Sequence, residues 1–146
     1  MDKSRIDEAV DCFTCGFSCS QAVFSTYAES MGMDKATALK ISGPFGGGMA
    51  AMGETCGAVT GAFMVIGLRY GKTKADDDAA KQKSYAVVRE FVEKFMAKHG
   101  SIVCRELAGC DLNTPDGKRE FEERRVGKTL CPKLVQDAAE ILEEIF

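Results

Sequence analysis

Seven cysteines stand in this 146-residue chain: Cys12, Cys15, Cys19, Cys56, Cys104, Cys110 and Cys131. A thiolate is both a nucleophile and a soft metal ligand. Such density outside a secreted scaffold points to redox work or metal binding rather than to structural staples. The odd total leaves at least one thiol outside any set of simple pairs. Cys56 opens the stretch Cys56-Gly57-Ala58-Val59-Thr60-Gly61, where a helix is expected to begin. Unpaired amides and the helix dipole favour a thiolate there, and Gly57 removes a side chain that would crowd the sulfur. Cys56 is therefore the leading nucleophile, weighed against a small buried residue at a tight helix crossing. Cys19 follows Gly16 and Ser18 at another helix start, Cys131 precedes Pro132 at a third, and Cys104 lies on a short helix flanked by loops.

That placement suggests one convergent site made of Cys19, Cys56, Cys104 and Cys131. Two chemistries compete for it. In the first, Cys56 is the attacking thiolate and Cys19, Cys104 or Cys131 resolves the disulfide. In the second, the same four thiols ligate an iron–sulfur cluster or zinc, making the chain an electron carrier or sensor. A third reading is a helical binding module whose thiols are packed and inert.

Cys12, Cys15 and Cys19 form a C-x2-C-x3-C array. Its spacing resembles iron–sulfur, zinc or thioredoxin-like usage, but no βαβ context accompanies it and a compact ferredoxin run needs a fourth local cysteine. Cys12 is read as a helix residue, Cys15 as a resolving thiol near Cys19, and Cys110 as a loop residue within reach of Cys104. Gly46-Gly47-Gly48-Met49-Ala50-Ala51 nominally fits G-x-G-x-x-A, yet no strand precedes it, so a dinucleotide site is rejected. The glycine loop instead lets backbone pass close to the cysteines, with amides suited to an anion. His99 is the single histidine and closes a long helix, where a cation suits the dipole. Asp76-Asp77-Asp78 reads as a helix start.

The elements that must position these groups are helical, because apolar periodicity is helical throughout. The spans expected are Ser4 to about Thr14, Cys19 to Met31, a short helix after Asp34, Thr55 to Gly71, Asp76 to Lys98, Ile102 to Leu107, and one from about Pro132. Thr114-Pro115-Asp116-Gly117 is read as a turn and Lys118 to Arg125 as a charged helix or turn. The third helix carries Ala36, Leu39 and Ile41, and Tyr85, Val88, Phe91, Val92, Phe95 and Met96 make the apolar stripe of the fifth. Gly57, Gly61 and Gly67 inside one helix each cost about 1 kcal/mol against alanine, so close approach of a neighbour must offset them. The expected fold is all-α, a single domain over residues 1–146: a bundle of about six helices with the glycine-rich helix at its centre and the cysteines at one end.

The net charge of -3 and pI near 5.3 give no basic face for nucleic acid. Ala58 to Leu68 falls short of the roughly 20 residues a membrane span needs. The charged start Met1-Asp2-Lys3-Ser4-Arg5 lacks an apolar signal core, so a cytoplasmic location is expected. A redox partner is expected without being named by the sequence, and the central and long helices offer faces for a homo-oligomer.

The chain resembles the redox-active proteins named for the cysteine pattern C_GCAxxG_C_C. The matching stretches are Gly16-Phe17-Ser18-Cys19-Ser20-Gln21-Ala22-Val23, Phe45-Gly46-Gly47-Gly48-Met49, Gly53-Glu54-Thr55-Cys56-Gly57-Ala58-Val59-Thr60-Gly61-Ala62, Cys104-Arg105-Glu106-Leu107 and Cys131-Pro132. The resemblance implies a small helical protein with four characteristic cysteines, here Cys19, Cys56, Cys104 and Cys131. It implies a redox or electron-transfer role without a substrate. Similar domains occur joined to haem-bearing segments, but no C-x-x-C-H haem site is present in this chain.

Overall fold

The computed structural model describes residues 4–146; the charged start at Met1, Asp2 and Lys3 lies outside them. The regular elements of the described residues are all helices, as the periodicity requires. They form α1 Arg5–Thr14, α2 Cys19–Ser30, α3 Lys35–Ser42, α4 Gly57–Tyr70, α5 Asp78–His99, α6 Cys104–Ala108, α7 Pro115–Glu123, α8 Val126–Thr129 and α9 Cys131–Ile145, with a 3₁₀ turn at Gly43–Phe45 after α3. None of these helices is long and apolar enough to cross a membrane.

The helix starts are written in local chemistry. Ser18 makes a full capping box with Gln21, and Asp34 and Asp77 cap α3 and α5 by accepting from Thr37 N–H and Ala80 N–H. Gly100 ends α5 in the left-handed conformation. The Thr114-Pro115-Asp116-Gly117 segment corrects the expectation of a turn. Thr114 accepts from Gly117 N–H as an N-cap, and Pro115 occupies the first helical turn of α7, where its missing N–H costs nothing. The short α8 was also not expected.

α2 and α4 share the centre. α2 packs on α1, α3, α4 and α9, and α4 on α2, α5 and α9. The main core gathers Val23, Phe24, Val59, Ile66, Phe91, Phe95, Val135, Ile141 and Leu142 among others, and a smaller cluster forms around Ala108, Cys110 and Val126. Each fully buried large side chain stabilises the fold by about 1.5–3 kcal/mol. On α5 the inward stripe is Val87, Phe91 and Phe95 at i, i+4 spacing, so Tyr85 and Met96 fall to solvent rather than to the core. On α3 the buried positions are Ala38 and Ser42, and Ala36 and Ile41 are exposed. Both differences arise because a helix this lightly covered buries a stripe narrower than its apolar content. The α5 terminus is fixed to α9 by His99 Nε2, 2.7 Å from Asp137 Oδ2, and the His99 ring packs on Phe95 of its own helix. Lys133 Nζ stands 3.0 Å from the other Asp137 oxygen. His99 thus belongs to a helix clamp.

The α2–α4 crossing is close because it lacks side chains. A Cβ on Gly61 would stand 2.8 Å from the Ser20 carbonyl oxygen and 3.2 Å from Val23 Cβ. Gly67, later on the same helix, has nothing within 4 Å of that position. The two glycines therefore predict opposite outcomes in urea denaturation. Gly61→Ala lowers stability by about 1–3 kcal/mol through overpacking, whereas Gly67→Ala raises it by about 0.5–1 kcal/mol through helix propensity. Equal effects at both positions would contradict the packing argument.

Candidate functional site

All four candidate cysteines begin helices. Cys19, Cys104 and Cys131 are the first residues of α2, α6 and α9, and Cys56 is the N-cap residue of α4. Two backbone devices bring the helix starts together. The first is a short antiparallel crossing of the segments before α4 and α6. Cys56 N–H donates to Ile102 O at 2.7 Å, Cys104 N–H to Glu54 O at 2.6 Å and Arg105 N–H to Gly53 O at 3.2 Å, around a bridge between Thr55 and Val103. Arg105 reinforces it from the side chain, donating to Gly53 O at 3.1 Å.

The second device is the glycine loop. Gly47, Gly48, Met49, Ala50 and Ala51 run consecutively at φ between +51° and +73°, a left-handed turn held by Met49 N–H to Phe45 O, Ala50 N–H to Pro44 O and Ala51 N–H to Gly46 O. Three of these residues carry side chains, and each costs about 1–2 kcal/mol in this region. The turn carries Gly48 under Cys104, where a Cβ would stand 2.6 Å from Cys104 Cβ and 2.8 Å from Glu54 N. It also aims the Gly47 amide at the Cys19 sulfur.

Cys19, Cys56, Cys104 and Cys131 line one cavity of about 230 Å3, together with Ser18, Gly47, Gly48, Gly57, Phe13, Leu107, Ala108, Leu112, Phe121, Gly127, Leu130 and Leu134. No charged side chain lines it. Cys56 is buried, while Cys19, Cys104 and Cys131 keep partial exposure.

The four sulfurs differ sharply in acidity. The Cys56 thiol donates to the Cys19 sulfur, and the Gly47, Ser20 and Cys19 amides add to it, so the Cys19 pKa falls from 9.0 to about 7 against the opposing cost of burial. Cys56 moves the other way. Its hydrogen bond to Cys19 is made by the neutral thiol, and burial and the Cys19 charge add to the rise. The amides of Ala58 and Val59 at the start of α4 do face Cys56, as the sequence suggests, but they are outweighed. The pull of the surrounding donors is thus downward at Cys19, while burial and the neighbouring sulfur push Cys56 upward. Burial first, and then the Cys19 charge, lifts Cys104 to about 11 and Cys131 to about 12.

The remaining cysteines fall elsewhere. Cys12 and Cys15 face a separate, polar groove with Arg5, Glu8, Glu29 and Lys35, so Cys15 does not line the cavity it was expected to serve. The reason is the turn at Gly16, whose φ of +122° redirects the chain between α1 and α2. Cys110 is buried in the smaller cluster. Among the described residues no group of three or more His, Cys, Asp or Glu side chains could hold a metal ion. The four thiols named as the alternative ligand set line this one cavity. Sequence reasoning did not foresee Ser20 and Gly47 as individual donors to Cys19, nor the wall formed by Phe13, Leu107, Phe121, Leu130 and Leu134. The Cys56-Gly57 pair and the glycine run were the available signals for the donors; the wall comes from distant elements and has no local signal.

Gly57 is the tightest constraint on the sulfurs: a Cβ there would stand 2.5 Å from Cys19 Sγ. An ultraviolet titration of the reduced protein should therefore show one thiolate near pH 7, well before Cys104 and Cys131 at about 11 and 12. In Gly57→Ala this early step should move toward the ordinary thiol range of about 8.5. An early step unchanged in Cys19→Ser would assign it to another thiol. The sign for stability follows. The folded pKa of Cys19 lies below the ordinary 9.0, so its ionisation stabilises the fold above pH 9 and that contribution is lost as pH falls through about 7.

No curated protein and no solved structure matches the chain. The family described as "Putative redox-active protein (C_GCAxxG_C_C)" matches residues 17–145, from the start of the Ser18 capping box to the end of α9. That span contains all four cavity cysteines and the left-handed turn. The chain belongs to the C_GCAxxG_C_C family of redox-active proteins.

Proposed function

We propose that the chain is a thiol–disulfide redox protein in which Cys19 is the reactive thiolate and Cys56 the thiol that pairs with it. The observation carrying this reading is the position of the Cys19 sulfur against the start of α4, where a Cβ on Gly57, the neighbour of Cys56, would stand 2.5 Å from it, in a cavity that both cysteines line. A thiolate near neutral pH that retains basicity is close to the optimum for thiol–disulfide exchange. Cys19 attacks one sulfur of an acceptor disulfide. The acceptor's S–S bond breaks and its outer sulfur leaves as a thiolate. Cys56 then loses its proton and attacks Cys19, so that the Cys19–Cys56 bond forms and the second acceptor sulfur departs. The pair gives up two electrons, and the acceptor becomes a dithiol.

Cys104 and Cys131 line the same cavity as neutral thiols and act as secondary exchange partners. A dithiol that must be restored after each turnover belongs in a reducing compartment, which favours the cytoplasm.

Equilibration against a series of dithiol–disulfide buffers, followed by alkylation and peptide mass spectrometry, tests the assignment. The expected result is one two-electron transition with a Cys19–Cys56 disulfide as its product. Cys19→Ser and Cys56→Ser abolish the transition, and Cys104→Ser and Cys131→Ser retain it. A product joining any other two cysteines, with Cys19 and Cys56 left free, overturns the assignment.

A further inference from the structure

The acceptor can be narrowed by asking what the cavity admits. Its volume of about 230 Å3 lies below the roughly 300–1,000 Å3 of sites for drug-sized ligands. Its walls are Phe13, Leu107, Phe121, Leu130 and Leu134, and no charged group faces it. An anionic peptide disulfide would enter with its carboxylates stripped of water and unpaired, which costs several kcal/mol for each polar group so buried. The polar side chains of the cavity are Ser18 and the four cysteines. The Gly47 and Ser20 amides and the Cys56 thiol all address the Cys19 sulfur. A fitting reactant therefore has one small polar end, no charge and at most a short apolar body.

We propose that the oxidant of the Cys19–Cys56 pair is a small uncharged hydroperoxide, either hydrogen peroxide or one with a short alkyl group. The inference rests on the Cys19–Cys56 pair above and puts a hydroperoxide in place of the acceptor disulfide as the oxidant that enters the cavity. The Cys19 thiolate attacks the terminal oxygen of R–O–O–H. The S–O bond forms, the O–O bond breaks, and the leaving alkoxide takes the Cys56 proton to become ROH. Cys19 is now a sulfenic acid. The Cys56 thiolate then attacks the Cys19 sulfur, the S–S bond forms, and hydroxide departs. Two electrons pass from the two sulfurs to the peroxide bond. A small external dithiol returns them by exchange, being oxidised to its disulfide. The same donors that hold the Cys19 charge stand beside the oxygen that departs, where developing negative charge needs them.

The test uses the full reduced chain without oxygen, mixed in parallel with hydrogen peroxide, tert-butyl hydroperoxide, glutathione disulfide and the uncharged thiol oxidant diamide. Quenching by alkylation and peptide mass spectrometry follows each cysteine, with exposed Cys15 as the reference inside the same molecule. Both peroxides should form the Cys19–Cys56 disulfide about tenfold or more faster than they oxidise Cys15, as thiolate character dictates. Glutathione disulfide should modify Cys15 and leave the pair reduced. In Cys56→Ser, dimedone should capture a sulfenic acid on Cys19. If diamide forms the Cys19–Cys56 disulfide while the peroxides react no faster there than at Cys15, the hydroperoxide inference fails and the thiol pair stands. Oxidation of the pair by glutathione disulfide as fast as by peroxide also overturns the inference. If none of the four oxidants joins Cys19 to Cys56, the thiol-pair reading itself fails.

Discussion

Everything at the cysteine site depends on how closely α4 approaches α2, and that approach is set by two missing side chains. Gly57 leaves the space that the Cys19 sulfur occupies, and Gly61 lets the Ser20 carbonyl lie against the α4 backbone. The helix-propensity cost of both glycines is offset where the two helices meet. Ser20 is tied down from the other side, since its hydroxyl donates to Ser42 O at 2.8 Å and lies 3.1 Å from the Ser18 hydroxyl. The start of α2 is thus fixed by its cap, by α3 and by α4 at once. The Cys19 sulfur inherits that fixed position.

The electrostatics follow from the same packing. Two thiols in contact inside a low-dielectric site cannot both ionise, so the charge settles where more donors meet it. Cys56 has its own helix-start amides, but Cys19 has the Cys56 thiol as well as backbone donors, and is less enclosed. A helix start alone is therefore a weak predictor of thiol acidity. All four cysteines hold that position, and only Cys19 becomes acidic.

Much of this was legible in the sequence, and the remainder was not for identifiable reasons. Caps at Ser18 and Asp34, the glycine stop at Gly100 and the apolar spacing of the final helix are local signals, and they mark the helices directly. The grouping of Cys19, Cys56, Cys104 and Cys131 was suggested by the sequence, which puts three of them at helix starts and Cys104 on a short helix between loops; that Cys104 also begins its helix is seen in the structure. Which sulfur carries the charge was not, since that depends on a contact spanning 37 positions and on an amide supplied by a third segment. The turn assigned to Thr114–Gly117 shows the same limit at short range: the residues of a type I turn and of a capped helix start are nearly identical. Only packing against the rest of the chain decides between them.

The left-handed turn at Gly47–Ala51 couples backbone conformation to electron count. Its cost in the chiral residues Met49, Ala50 and Ala51 is partly offset while the Gly47 amide faces a negatively charged sulfur. On the proposed thiol-pair reading, oxidation of Cys19 removes that charge and so weakens one of the interactions favouring the turn. Thermodynamic reciprocity then requires the converse. Anything that unwinds the turn makes the reduced state of the cysteine pair less favourable, and anything that clamps it makes that state more so. The midpoint potential of the proposed pair is in this sense partly stored in the handedness of five peptide units.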